Sequence, residues 1–447
     1  MAEIAPDESE LRSPDDGELR RFFVGLAEGL TAAGESVDRV QAIMQEVAAA
    51  YGAPDANFAV LPTMIMVQTG EATDTRVAIS SKVRSSLRFD QIAELSALVR
   101  RARDGAIDPV EGIDELNAIG ESTPRFGWPL RVFGHGVLTL GLALMLFPSW
   151  QGAAVAFALG LLVGLLKLLR SPTLALIFPV VAAFISSLVV FLLADTLGIS
   201  DPLRVLIAPL VTFLPGGLLT TGTVELAAGQ MIAGTARLVT GFVQLALLAF
   251  GILAAGTLVG IDGYSYMSSD SERLYLWWVP LIGLVLFAAG NYLHFSSPPR
   301  TFGWVLLVLV VAYGGQLLGG VVFGATLSGF FGALLMTPLV LWIESLRRGV
   351  PSQLTFLPAF WILVPGSAGL IGLTEVFGAD ANDQDLSSAL TTVIAIALGV
   401  LIGTAVYRSI RYGAQELGNF HIDLPGVVAP LKPGTPGSWK RVFRRGQ

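Results

Sequence analysis

Two Pro-Gly steps inside apolar stretches carry the strongest chemical signal in the sequence. The first segment reads Pro215-Gly216-Gly217-Leu218-Leu219-Thr220-Thr221-Gly222-Thr223-Val224-Glu225. The second reads Pro365-Gly366-Ser367-Ala368-Gly369-Leu370-Ile371-Gly372-Leu373-Thr374-Glu375. Proline removes a backbone donor and clashes with the preceding turn, and glycine lets the chain turn freely. In hydrocarbon the freed N–H and C=O groups must then find neighbouring helices, water or a substrate. Hydroxyls follow each break, and each segment ends in a carboxylate ten residues after its proline. A carboxylate partly removed from water binds and releases protons nearer neutrality. The plain alternatives are a packing kink, hydroxyls bonding back to helix carbonyls, and glutamates that cap a helix or pair with a neighbour such as Arg237.

The segments sit in a membrane-type chain. Apolar residues make up 53% of its 447 residues and charged ones 14%, against about a quarter charged in soluble domains. Runs of about 20 apolar residues fall near 130–147, 152–169, 174–194, 205–224, 238–259, 274–294, 302–318, 321–343, 356–374 and 389–407. The seventh and eighth are divided at Gly319-Gly320. Pro, Gly and Glu of the two segments are 150 residues apart, as are Trp128 and Trp278 at the starts of spans one and six. Each Pro-Gly lies in the fourth span of a five-span half. Five is odd, so the second half enters the membrane inverted, the construction of secondary transporters. Between Arg204 and Arg237 the only charge is Glu225. The 32 residues between those arginines would form a straight helix of about 48 Å at 1.5 Å per residue. The hydrocarbon core is about 30 Å thick, so the segment must bend or re-enter.

Charge divides the chain. Residues 1–125 carry most of the acids and the rest is slightly basic. Residues 1–20 read as a disordered acidic N-terminus with no signal peptide. Residues 21–125 read as a cytoplasmic α+β domain: helix from Arg21 to Tyr51, interruptible at Gly34; strand over Asn57–Gln68 with Pro62 at an edge or bulge; strand at Arg76–Ser80; helices at Ile92–Val99 and Pro109–Ile119, the latter capped by Asp108. With His135, His294 and His421 outside it and no cysteine anywhere, this domain offers no Ser-His, Cys-His or His-metal chemistry. No Walker phosphate loop occurs. The expectation is no enzyme, no cofactor, no metal and no nucleic-acid partner.

Arginine and lysine fall on the side that keeps the N-terminus inside, at Lys167, Arg170, Arg237, Arg300, Arg347, Arg348 and through the basic tail 408–447. Both termini are therefore cytoplasmic by the positive-inside rule. The two five-helix repeats occupy 126–260 and 274–407. Lys167, Arg170, Arg237 and His294 read as interfacial anchors, and His135 as a packed polar residue. The Gly-x-x-x-Gly pairs, including Gly160/Gly164, Gly315/Gly319 and Gly320/Gly324, read as helix packing.

At these motifs the chain resembles the threonine/serine exporter (ThrE) family. The resemblance runs from about residue 20 to 407 and includes Leu26–Val40, Met44–Gly52 and both Pro-Gly segments. It implies a cytoplasmic N-terminal domain, ten spans in the cell membrane, and proton-driven export of L-threonine and L-serine. Relatives split over two chains imply succinate export as the alternative. A membrane-anchored sensor is the reading from a different class, and a homodimer is the generic assembly. On physical grounds, a zwitterion needs partners at both ends, which half-helix N-termini and freed carbonyls supply. The expected substrate site is therefore Pro215, Gly216, Thr220, Thr221, Thr223, Pro365, Gly366, Ser367 and Thr374, with Glu225 and Glu375 coupling protons.

Overall fold

The computed structural model describes residues 16–70, 75–81, 87–146, 150–169, 172–199, 202–260, 277–363 and 383–418. Pro365, Gly366, Ser367, Thr374 and Glu375 lie outside the described residues.

The chain begins with helices α1 (Asp16–Ala32) and α2 (Val37–Ala50). Gly34 takes φ +87° between them, a conformation that favours glycine, so the single helical run breaks there. The acidic start is not structureless throughout: α1 begins at Asp16, because Leu19 joins Phe22, Phe23 and Leu26 on a buried face. The stretch Asn57–Gln68, expected as one strand, is a hairpin. Strands β1 (Asn57–Leu61) and β2 (Met64–Thr69) pair antiparallel, with Leu61 opposite Met64, and Pro62-Thr63 makes the turn. Proline has no N–H for a ladder, which is why pairing ends there. Strand β3 (Arg76–Ser80) adds to β2. Helix α3 (Phe89–Arg103) follows, then α4 (Pro109–Glu121), whose Asp108 cap accepts from the Val110 N–H at 2.9 Å. Phe22, Phe23, Leu26, Met44, Ile65, Val67 and Leu98 form one apolar core, joined by Ala233 from further along the chain.

The remaining helices are α5 (Trp128–Leu146), α6 (Trp150–Leu166), α7 (Pro172–Leu197), α8 (Pro202–Leu210), α9 (Gly216–Ala227), α10 (Met231–Val259), α11 (Val279–His294), α12 (Thr301–Phe323), α13 (Ala325–Ser345), α14 (Ser352–Leu363) and α15 (Asp383–Gly418). Among the described residues six are long and apolar enough to cross a membrane, or seven counting the bent pair α8–α9 as one; α6, α11 and α14 are shorter apolar helices. This is a multi-pass membrane protein. The boundary expected at Gly319-Gly320 lies instead at Gly324, which adopts φ +85° between α12 and α13. Gly315 and Gly319 stay helical and face Phe331 and Gly332 of α13, so they serve close packing rather than a turn.

Glycines hold the bundle together. On α5 and α11 the close approaches run in opposite order: Gly134 meets Leu293 and His294, Leu138 meets Gly290, and Gly141 meets Gly283 and Phe287. The two helices are therefore antiparallel. A Cβ on Gly290 would lie 2.1 Å from the Leu138 nitrogen, so no larger residue fits. Gly251 of α10 packs on the Val180 carbonyl, the Ala183 Cβ and the Phe184 nitrogen of α7. Gly399 of α15 packs on the Phe330 carbonyl, the Ala333 Cβ and the Leu334 nitrogen of α13.

Candidate functional site

The fourth apolar stretch is broken where its prolines require it. Helix α8 ends at Leu210 and is followed by a 3₁₀ turn, Val211–Phe213. Leu214 is extended, at φ −69° and ψ 126°, the conformation a following proline imposes. Pro215 then caps α9, which leaves at 58° to the preceding segment. The first helical bond of α9 runs from the Leu219 N–H to the Pro215 carbonyl at 2.9 Å. Upstream amides of α9 have no partner within the helix, and this end carries the positive pole of its dipole. The Phe213 carbonyl accepts from Gln244 Nε2 at 2.7 Å, so α10 satisfies one group released by the break.

The expected hydroxyls separate into three cases. Thr223 bonds back to the Leu219 carbonyl at 2.9 Å. Thr220 is buried, with 1% exposure, and its Oγ1 has no hydrogen-bond partner among the described residues. Thr221 is half-buried. Gly217 faces Leu357 and Phe360 of α14, so the first break meets the helix that leads into the second Pro-Gly.

Glu225 is fully buried and engaged. Both carboxylate oxygens accept from Arg237 Nε, at 3.1 and 3.0 Å, and Oε1 also accepts from the Val37 N–H at 2.9 Å. Arg237 Nη2 donates to the Glu35 carbonyl at 3.2 Å. One carboxylate thus caps α2 and binds α10 at once. Beside it Arg39 pairs with Glu35 at 3.2 Å and with Glu344 of α13, and Ser352 of α14 donates to Glu344 at 3.3 Å. Burial raises the Glu35 carboxyl above its ordinary range against the lowering by Arg39. Burial lowers the Arg39 guanidinium, but Glu35 and Glu344 outweigh it and the net direction is upward. Phe89 stacks on Phe295 at 4.8 Å. The α1–α2 junction is thereby tied to α9, α10, α13 and α14.

A second group gathers at the break: Lys167 and His294, expected as interfacial anchors, and His135, expected as a packed polar residue. Lys167 donates to Thr212 Oγ1 and stands 4.8 Å from the Phe213 ring centroid. His135 Nε2 lies 3.0 Å from the same hydroxyl, and its Nδ1 lies 2.7 Å from the Gly160 carbonyl. His294 meets His135 edge to face at 4.6 Å, with its Nδ1 3.0 Å from the Arg131 carbonyl. The signal in the sequence is an ionisable residue within each of three apolar runs; only the fold reveals that Lys167 and His135 meet at Thr212 and that His294 packs on His135.

The model of the family described as "Putative threonine/serine exporter" (ThrE) matches residues 21–259. The chain is 27% identical to the "Probable threonine/serine exporter" of Mycobacterium tuberculosis (strain ATCC 25618 / H37Rv), over 96% of this chain and 87% of that protein. It is 23% identical to the "Threonine/serine exporter" of Corynebacterium glutamicum, over 86% and 81%. It is 22% identical to "Pheromone-regulated membrane protein 10" of Candida albicans (strain WO-1), over 90% of this chain but 39% of that longer protein. No solved structure matches. With a family match over more than half its length and a multi-pass helical architecture, the chain belongs to the threonine/serine exporter (ThrE) family.

Proposed function

We propose that the protein is a secondary active exporter of small polar amino acids, L-threonine and L-serine, driven by the proton gradient across the cell membrane. The observation that carries this reading is the broken span at Val211–Pro215, with the α9 N-terminus, a Thr220 hydroxyl without a partner among the described residues, and Lys167 and His135 bonded to Thr212 at the break. Irregular backbone at such depth is tolerated where it lines a cavity or a substrate path. The names of the bacterial relatives support the substrate class.

The architecture in this reading has ten spans in two inverted five-helix repeats, preceded by a cytoplasmic domain over 21–125. The glycine contacts support it. Residues 180, 183 and 184 that receive Gly251 answer residues 330, 333 and 334 that receive Gly399, atom for atom and at an offset of 150. The antiparallel α5 and α11, each the first helix of its half, fit an inverted relation. Both termini lie inside.

Proton coupling is proposed at Glu225 and Glu375. Protonation of Glu225 would dissolve its pair with Arg237 and weaken its cap on α2, loosening the α9–α10 hairpin from the N-terminal helices. Glu225→Gln should then retain exchange at equal concentrations and lose uphill export and its pH dependence. Uphill export at the wild-type rate by both Glu225→Gln and Glu375→Gln would make the glutamates structural.

A dicarboxylate exporter is the second reading. The cluster of Lys167, His135 and His294, with no acid bonded to it among the described residues, favours it over a sensor. A counterflow panel of threonine, serine, other small amino acids and succinate, using vesicles that contain only this protein, separates the readings. Threonine and serine should exchange; succinate alone would select the second, and no flux of any would select the sensor.

A further inference from the structure

Lys167 follows the last residue of α6 and turns its ammonium to the break between α8 and α9. One N–H goes to Thr212 Oγ1, and the Phe213 ring covers another side at 4.8 Å. An ammonium has three donors and no acceptor, so donors remain for a further acceptor. No carboxylate pairs with Lys167 among the described residues. A lysine in an apolar bundle without an acid partner marks a binding site or a path, and its missing partner is an anion.

The neighbours fix the direction of every bond. The Gly160 carbonyl can only accept, so His135 Nδ1 carries the proton and neutral Nε2 accepts from the Thr212 hydroxyl. The Thr212 oxygen is then the acceptor for Lys167. By the same argument the Arg131 carbonyl places a proton on His294 Nδ1, leaving Nε2 of the neutral ring as an acceptor. One turn earlier on α11, Asn291 is 1% exposed and both polar atoms of its amide lack partners among the described residues. Residues three apart share a helix face. A buried amide without partners is unfavourable, and a bound polar ligand would offset that. The cluster thus offers a cation with spare donors on α6 and unused acceptors on α11.

We propose that Lys167 is the ligand of the transported molecule's carboxylate, held by Thr212 and His135, and that the Asn291 carbonyl oxygen and His294 Nε2 receive its ammonium. This rests on the export reading above and deepens it: the chemical class recognised is an α-amino acid in its zwitterionic form, read by charge at one end and by neutral acceptors at the other.

The test uses the full chain in proteoliposomes and competition of labelled L-threonine counterflow by L-threonine, L-serine and L-threonine amide, which lacks the carboxylate. Wild type should be competed by the two acids and not by the amide. Lys167→Met should raise the threonine KM at least tenfold and bring threonine and its amide to similar potency. Lys167→Arg should restore discrimination. A second measurement needs no variant: labelling of Lys167 by an amine-reactive reagent, read by mass spectrometry as a ratio to Lys82 so that reagent consumed by the ligands' own amines cancels, should fall with threonine and not with its amide. A wild-type KM and unchanged discrimination in Lys167→Met, or labelling indifferent to threonine, overturns this inference alone. Failure of wild type to exchange any amino acid or dicarboxylate overturns the export reading itself.

Discussion

Removing either partner of the Glu225–Arg237 pair should unfasten the N-terminal helices from the membrane bundle. Glu225 is fully buried and the Arg237 side chain is 11% exposed, so neither charge can be rehydrated without a local opening. Breaking a buried pair by removing one partner costs about 3–5 kcal/mol. The lower end applies here: the glutamine of Glu225→Gln keeps a carbonyl oxygen for the Val37 N–H, and Arg237 keeps the Glu35 carbonyl. Glu225→Gln and Arg237→Met should each cost about 3 kcal/mol. The double variant leaves no stranded charge and should cost well below the total of the two, with a coupling of at least about 1 kcal/mol, within the range found for residues in one network. Thermal unfolding of the purified protein gives the cycle, and hydrogen exchange of the peptide spanning the α2 N-terminus localises it. At about 1.4 kcal/mol per factor of ten, amide exchange there should accelerate on the order of a hundredfold in each single variant. Additive losses below about 1 kcal/mol, with unchanged exchange at Val37, would refute the reasoning.

Three further outcomes follow from the same contacts. The Glu35 carboxyl sits above its unfolded value of 4.5, so its contribution to stability is full below that pH and is lost as pH rises through the folded value; Glu35→Gln should flatten melting curves in that window, where one proton gives at most about 1.4 kcal/mol per pH unit. Gly251→Ala and Gly399→Ala place a Cβ 2.6 and 2.4 Å from a backbone carbonyl oxygen, so each should destabilise by about 1–3 kcal/mol, as overpacking does; Gly314→Ala, with nothing within 4 Å, should be neutral or stabilising in the same melts. In this cysteine-free chain, Ser268→Cys should react with an impermeant reagent on intact cells, and exposed Ser345→Cys only after permeabilisation; the reverse pattern would invert the topology.

What the sequence made legible was what depends on local rules. The α1–α2 break at Gly34, the Asp108 cap and the break at Pro215 are each dictated by one residue type acting on its own backbone. Boundaries that depend on contacts were less legible. Gly319-Gly320 looks like a turn in a string of residues, yet both stay in α12, where Gly319 makes room for the facing Phe331; Gly324 turns instead. The site divided the same way. A conspicuous carboxylate, Glu225, could be found by spacing, but its partner Val37 lies 188 residues earlier, and the Glu35 carbonyl that Arg237 also binds lies 202 residues before that arginine. Lys167 and His294 look like interface anchors, and His135 like a packed polar residue, because hydropathy records depth and not direction. Only the bundle brings Lys167 and His135 to Thr212, a residue that spacing never singled out, with His294 against the His135 ring.

Uphill export can be followed with the purified protein alone. Proteoliposomes containing only this protein, with L-threonine at equal concentration inside and out, are given an inward or an outward proton gradient and the internal threonine is followed. A proton-driven exporter should move threonine against its developing gradient in the direction opposite to proton flow, reverse when the gradient is reversed, and stop when a protonophore is added. Threonine movement that is indifferent to the gradient, or none beyond that of protein-free vesicles, would contradict the account.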